Sequence, residues 1–197
     1  MLNKSLLDNY TFSNEISGID KIYLALPEIF IFCSLLILLI VDIFFFKEQN
    51  SKNTNKICIF IILFSILFVF LLPSNELGFN SLYVVNDFTK IFKILILFSV
   101  FFVLLLSQKK SEIEGINFSE FNFLLLLSTC GMLILVSSYS FLTFYLALEL
   151  QALPIYVMCA LRKNDLKSSE AALKYFLLGA LSSGFLLFGI SLIYGFS

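Results

Sequence analysis

The chain has no histidine and no tryptophan, and all but one of its 13 basic residues are lysine, Arg162 being the exception. Without imidazole, axial haem ligation by histidine is excluded. The four cysteines, Cys33, Cys58, Cys130 and Cys159, each stand alone in an apolar run and none forms a CxxC pair, which argues against disulfides, zinc and iron–sulfur ligation. No redox cofactor or metal is therefore expected on the chain itself. The segment Met1 to Asp20 is polar and mixed in charge; it lacks both the apolar stretch of a signal peptide and the Arg-rich character of a transit peptide, so no cleavable targeting segment is expected. Charge is scarce, at 14% of residues against 59% hydrophobic, with a mean hydropathy of +0.97. That is more apolar than a soluble domain needs to fill its core, so water is not the main solvent. Lysine in place of arginine, together with 25 Phe, fits codon bias towards A and T, as in an organelle genome or an AT-rich bacterium.

What is present is a series of long apolar runs. A helix needs about 17–25 such residues to cross a bilayer, because every backbone N–H and C=O must be satisfied within the segment. Six runs meet or approach that length: 22–46, 57–73, 88–106, 121–136, 141–161 and 171–194. The expected fold class is all-α, a polytopic bundle of six spanning helices. A polar segment 1–21 precedes three N-terminal helices over 22–106, and an inner-side linker over 107–120 leads to three more helices over 121–197. Only Ser137-Ser138-Tyr139-Ser140 separates the fourth and fifth runs, which predicts an antiparallel hairpin. Basic residues flanking the spans set orientation. Lys47, Lys52, Lys56, Lys109, Lys110, Arg162, Lys163 and Lys167 fall in linkers one, three and five, against Lys4 and Lys21 at the N-terminus. Both termini are thus expected on the outer side.

A charge at the centre of a spanning helix costs roughly 2.5–3.5 kcal/mol on insertion scales, so residues that remain there have partners and often a task. Glu149 lies near the middle of the fifth run. Burial raises a carboxyl pKa and a nearby cation lowers it, so a Glu between these influences can relay a proton; the alternative is a neutral acid bonding a neighbouring helix. Pro154, five residues on, frees the carbonyl of Leu150 and either opens a kink or shapes packing. Ser168 is the expected N-cap of the sixth helix, with Glu170 in its first turn. Lys174 then lies about 9 Å inside, as a relay group or as the i, i+4 partner of Glu170. In the third run Asp87, Lys90 and Lys93 recur at steps of three, with Asp87 and Lys90 read as an interfacial pair. Glu28 and Asp42 are read as interfacial residues at the two ends of the first run. The small residues Gly179, Ala180, Ser182, Ser183, Gly184 and Gly189 offer a surface for close helix packing.

From Glu120 to Gly195 the wording becomes specific: GMLILVSSYSFLTFYLALELQALPIYV, then RKNDLKSSEAALKYFLLGALSSGFLLFGISLIYG. This resembles the subunit 2 family of respiratory NADH dehydrogenase, the antiporter-like membrane subunits of complex I. Weaker likeness extends upstream through Leu26-Pro27-Glu28-Ile29 and through Asp87-Phe88-Thr89 with Lys93. The resemblance implies a proton-translocating subunit of NADH:ubiquinone reductase, multi-pass in the mitochondrial inner membrane or a bacterial inner membrane. Glu149 matches the acid of the fifth helix and Lys174 a lysine of the sixth, with Glu170, Lys93 and Pro154 as accessory candidates. NADH, FMN, iron–sulfur clusters and ubiquinone are expected elsewhere in the complex. Expected partners are the other membrane subunits and lipid, with no nucleic acid. Ser140 departs from the family, which commonly has an acidic or amide residue there.

Family members continue to about fourteen helices, with two inverted repeats that each contain a broken helix. This chain corresponds to the part that stops after the third helix of the first repeat. A second chain supplying the remaining helices, including a lysine opposite Glu149, is expected on that ground. Two other readings stand beside it: a structural half-subunit that conducts nothing, and a cation/proton antiporter subunit of the same superfamily.

Overall fold

The computed structural model of the protein describes residues 21–45, 51–114, 118–162 and 165–196. A 3-10 turn, Ile22–Ala25, leads into α1, Leu26–Phe45; α2 spans Ser51–Leu71, α3 Asp87–Glu114, α4 Phe118–Ser137, α5 Phe141–Cys159 and α6 Leu166–Phe196. Among the described residues, six helices are long and apolar enough to cross a membrane. The polar stretch before Lys21, together with Lys47 and Lys163, lies outside the described residues.

Helix ends differ from the limits of the apolar runs. The segment 107–120 read as a linker is helical through Glu114, and helix resumes at Phe118, because a helix emerging into water can keep its ladder once its residues turn polar. The sixth helix starts at Leu166 rather than Ser168. Asp165 caps it, its Oδ1 accepting from Lys167 N at 3.1 Å, while the Ser168 hydroxyl donates to Cys159 O at the end of α5, 2.6 Å away. Ser140 is an N-cap: it accepts from Thr143 N and completes a capping box with the Thr143 hydroxyl.

One face of each of the first four helices makes a common core. Ile31, Leu35 and Leu38 of α1, Ile62 and Val69 of α2, Leu97 and Leu104 of α3, and Leu126 and Leu133 of α4 meet in it at helical spacing. About a third of each of these spans is buried in the chain itself, against 11% for α5 and 6% for α6. The last two helices are attached to the bundle mainly by one neighbour each. α5 lies against α4 as the short turn requires, and α6 against α5. At Gly131 of α4, an added Cβ would lie 2.6 Å from Gln151 N, so only glycine lets the α5 backbone come this close.

Between α2 and α3 the chain forms a small antiparallel hairpin, β1 Glu76–Gly78 and β2 Tyr83–Val85, with Gly78 opposite Tyr83. Phe79, Asn80 and Ser81 turn it in the left-handed region. The hairpin folds over the end of the bundle. Tyr83 bridges to Ser138, and Leu82 O accepts from Tyr139 N at 3.0 Å, which ties it to the α4–α5 turn. Leu24, Leu72, Tyr83 and Val85 pack beneath it, and Lys21 Nζ donates to Leu77 O at 2.9 Å.

Candidate functional site

Two sets of polar side chains lie within the spans, in different parts of the bundle. Glu149 occupies the middle of α5, half-buried. Among the described residues no hydrogen bond or ion pair reaches its carboxylate. Pro154 is buried on the same helix, which continues unbroken to Cys159. Tyr156 lies two turns from Glu149 and so on the same face. Its ring meets Tyr175 and Phe176 of α6 edge-on, at 4.9 and 5.8 Å between centroids, and its hydroxyl fills the space left by the missing side chain of Gly179.

Lys174 is adjacent to Tyr175 and therefore near the level of Tyr156, about 10 Å along the helix axis from Glu149. The structure does not bring Glu149 and Lys174 together. Instead Lys174 Nζ lies 2.5 Å from Glu170 Oε1, with the two side chains 70% and 65% exposed. With α6 beginning at Leu166, Lys174 is about 12 Å inside the helix. Further along α6, an added Cβ at Gly184 or Gly189 would meet nothing within 4 Å. Among the described residues, the small-residue surface beyond Gly179 is therefore open at Gly184 and Gly189.

The second set was only partly legible. Glu28, expected at the membrane interface, is fully buried, and its Oε1 lies 2.7 Å from Lys93 Nζ. Tyr83 completes a ring of contacts: its hydroxyl donates to Glu28 Oε1 at 2.8 Å and accepts from Lys93 Nζ at 2.6 Å. The hairpin carries Tyr83 over the start of α1, and this shields Glu28 from the surface. Cys130 of α4 approaches from another side, its Sγ 3.8 Å from Glu28 O. Burial pushes the Tyr83 phenol well above its usual pKa and the Glu28 charge adds to this, while the nearby Ser137 hydroxyl acts in the opposite sense. Lys90 does not pair with Asp87. Its ammonium reaches Leu72 O and Ser74 Oγ, closing the last turn of α2. The available signal for Glu28 was an acid in the first apolar run and a base in the third, each within about two turns of the start of its run and so near the same membrane surface.

Comparison with known proteins bears on both sets. Residues 138–197 match the family model described as NADH:quinone oxidoreductase/Mrp antiporter, TM. Over nearly its whole length the chain is similar to NADH-quinone oxidoreductase subunit N. The Bartonella bacilliformis protein is 38% identical over 91% of this chain and 37% of its own length. The Pelagibacter ubique protein is 39% identical over 90% and 38%, and that of Granulibacter bethesdensis is 40% identical over 88% and 36%. The chain thus spans 37% of the length of the Bartonella relative. A chain of the respiratory complex I structure from Thermus thermophilus with bound aureothin superposes with a TM-score of 0.69 at 24% identity, covering 86% of this chain and 36% of that one. The fold is shared with that part of the matched chain. The family-model match takes in Glu149, Pro154, Glu170 and Lys174, while Glu28, Tyr83 and Lys93 lie outside it.

Proposed function

We propose that the chain is the N-terminal helical part of an antiporter-like membrane subunit of a respiratory NADH:quinone oxidoreductase, and that it contributes to a proton path. NADH oxidation and quinone reduction, with FMN, iron–sulfur clusters and ubiquinone, belong to other subunits in this reading. The observation that carries it is Glu149, a carboxyl in mid-span with no hydrogen bond or ion pair among the described residues, on a helix that is only 11% buried. An isolated carboxylate in such a place is costly. A cation from outside this stretch of chain offsets that cost, and an acid and a cation facing each other in mid-span are the elements from which a proton path is built.

That cation belongs to further helices laid against α5 and α6, on the same or on a second polypeptide, with lipid covering the rest. The similarity to subunit N supports this. The membrane is a bacterial inner membrane or, given the lysine-for-arginine and Phe-rich composition, the mitochondrial inner membrane. The exposed Lys174–Glu170 pair favours a second reading in one respect: as a mutually neutralised surface pair, Lys174 could be a structural contact for a neighbouring subunit.

Glu149→Gln is the test, since it keeps shape and hydrogen bonding while removing the titratable group. In reconstituted membranes the assembled complex is expected to retain quinone reduction driven by NADH but to lose proton pumping. A normal proton-to-electron ratio in the mutant would make Glu149 a structural acid and return the chain to the non-conducting reading.

A further inference from the structure

The cluster of Glu28, Tyr83 and Lys93 lies outside the stretch on which the proposed proton path depends, and the path makes no use of it. Its three groups satisfy one another only on one side. Glu28 Oε1 receives both Lys93 and Tyr83, whereas Glu28 Oε2 is buried with no hydrogen-bond partner among the described residues, and so is the hydroxyl of Ser137. Ser137 is the last residue of α4 and acts on the Tyr83 phenol, so the two orphaned atoms belong to one neighbourhood. A carboxylate oxygen left dry in a membrane bundle is costly. Buried polar atoms without protein partners are the usual seats of ordered water, which needs two to four polar groups around it. Glu28 Oε2, Ser137 Oγ and the Tyr83 hydroxyl provide them.

We infer that Glu28, Tyr83, Lys93 and Ser137 form a hydrated site that exchanges protons with the aqueous phase on the hairpin side of the membrane. Tyr83 is the link, because its backbone belongs to the surface hairpin while its hydroxyl touches both members of the ion pair. The exchange is neutral in charge. Each hydron that leaves the Tyr83 O–H or a Lys93 N–H is replaced by one from water, and carboxylate and ammonium persist. Among the described residues, Cys130 of α4 also faces Glu28. Lys56 and Cys58 of α2 lie at the far end of that helix, beside the inner end of α1.

The experiment is infrared spectroscopy of the assembled membrane complex on transfer to D2O, with the Tyr83 phenol band assigned by its loss in Tyr83→Phe. The band is expected to shift as fast as those of surface groups, and to shift at least tenfold more slowly in Ser137→Val, whose methyl groups fill the water position. A phenol that keeps its protium as long as the spanning-helix amides would show that the cluster is dry and overturn the proposal; so would equal rates in the parent and Ser137→Val. If either variant fails to assemble, a density map of the parent complex that resolves ordered waters decides. Peaks within hydrogen-bond reach of Glu28 Oε2 and Ser137 Oγ support the site, and their absence refutes it. The outcome is independent of the Glu149→Gln result, so failure of one reading does not touch the other.

Discussion

Replacing Lys93 with methionine should be among the most damaging single substitutions in the chain. The Lys93 side chain is 0% exposed and that of Glu28 4%, at a separation of 2.7 Å. Methionine keeps the length and apolar stem of lysine, so the change is close to pure loss of charge. It leaves a buried carboxylate with one neutral donor, Tyr83, and no cation. Breaking such a pair by removing one partner costs on the order of 3–5 kcal/mol. Lys174→Met is the comparison, because its pair with Glu170 is mostly exposed in this chain and lies outside the four-helix core, so a smaller loss than for Lys93→Met is expected. Adding Glu28→Gln to Lys93→Met removes the stranded charge, and much of the loss should be recovered. Thermal disassembly of the detergent-solubilised complex, followed by native electrophoresis, ranks the four proteins. If Lys93→Met is as mild as Lys174→Met, or if the double mutant is no better than Lys93→Met alone, the buried ion pair does not have the role described.

Three further outcomes follow from the geometry. Gly131→Leu should separate α4 from α5, since even a Cβ would lie 2.6 Å from Gln151 N; a loss of about 1–3 kcal/mol is expected from overpacking, with lowered pumping because Glu149 moves with α5, and a mutant of parental stability would contradict the close approach. The Tyr83 phenol has a raised pKa in the folded chain, so its contribution is complete below the unfolded value of about 10 and is lost as pH rises through the higher folded value. Stability should therefore fall more steeply above about pH 10 in the parent than in Tyr83→Phe, and parallel curves would count against the burial of Tyr83. A cysteine at Asn80 in the hairpin should react with an impermeant thiol reagent from the side opposite to one at Lys56, in keeping with the basic linkers; reaction of both from one side would rule out the alternating topology.

The number of spans was legible because lipid leaves the backbone no alternative to helix, so a long apolar run is nearly sufficient evidence. Helix ends were less legible. The extension of α3 to Glu114 depends on helix persisting into water, and the start of α6 on Asp165 winning the cap position from Ser168. The hairpin was not legible at all: its strands have three residues each, and its turn places Phe79, a residue that rarely favours the left-handed region, at positive φ. Missing the hairpin meant missing the burial of Glu28, whose partner Tyr83 is 55 residues away in sequence. Glu149 and Lys174 were both found by position in an apolar run; the i, i+4 spacing already offered the Lys174–Glu170 pair as one of two readings, and the structure has it, whereas position could not tell that Glu149 would have no partner among the described residues.

The distance in sequence between Glu28 and its partners also bears on how the chain is made. Glu28 is synthesised with α1, 55 residues ahead of Tyr83, so its partners reach the membrane later than it does. Until the hairpin and α3 are in place its carboxyl has neither of them, and Ser137, at the end of α4, joins later still. The ion pair thus registers that α1 to α4 have come together in their proper order.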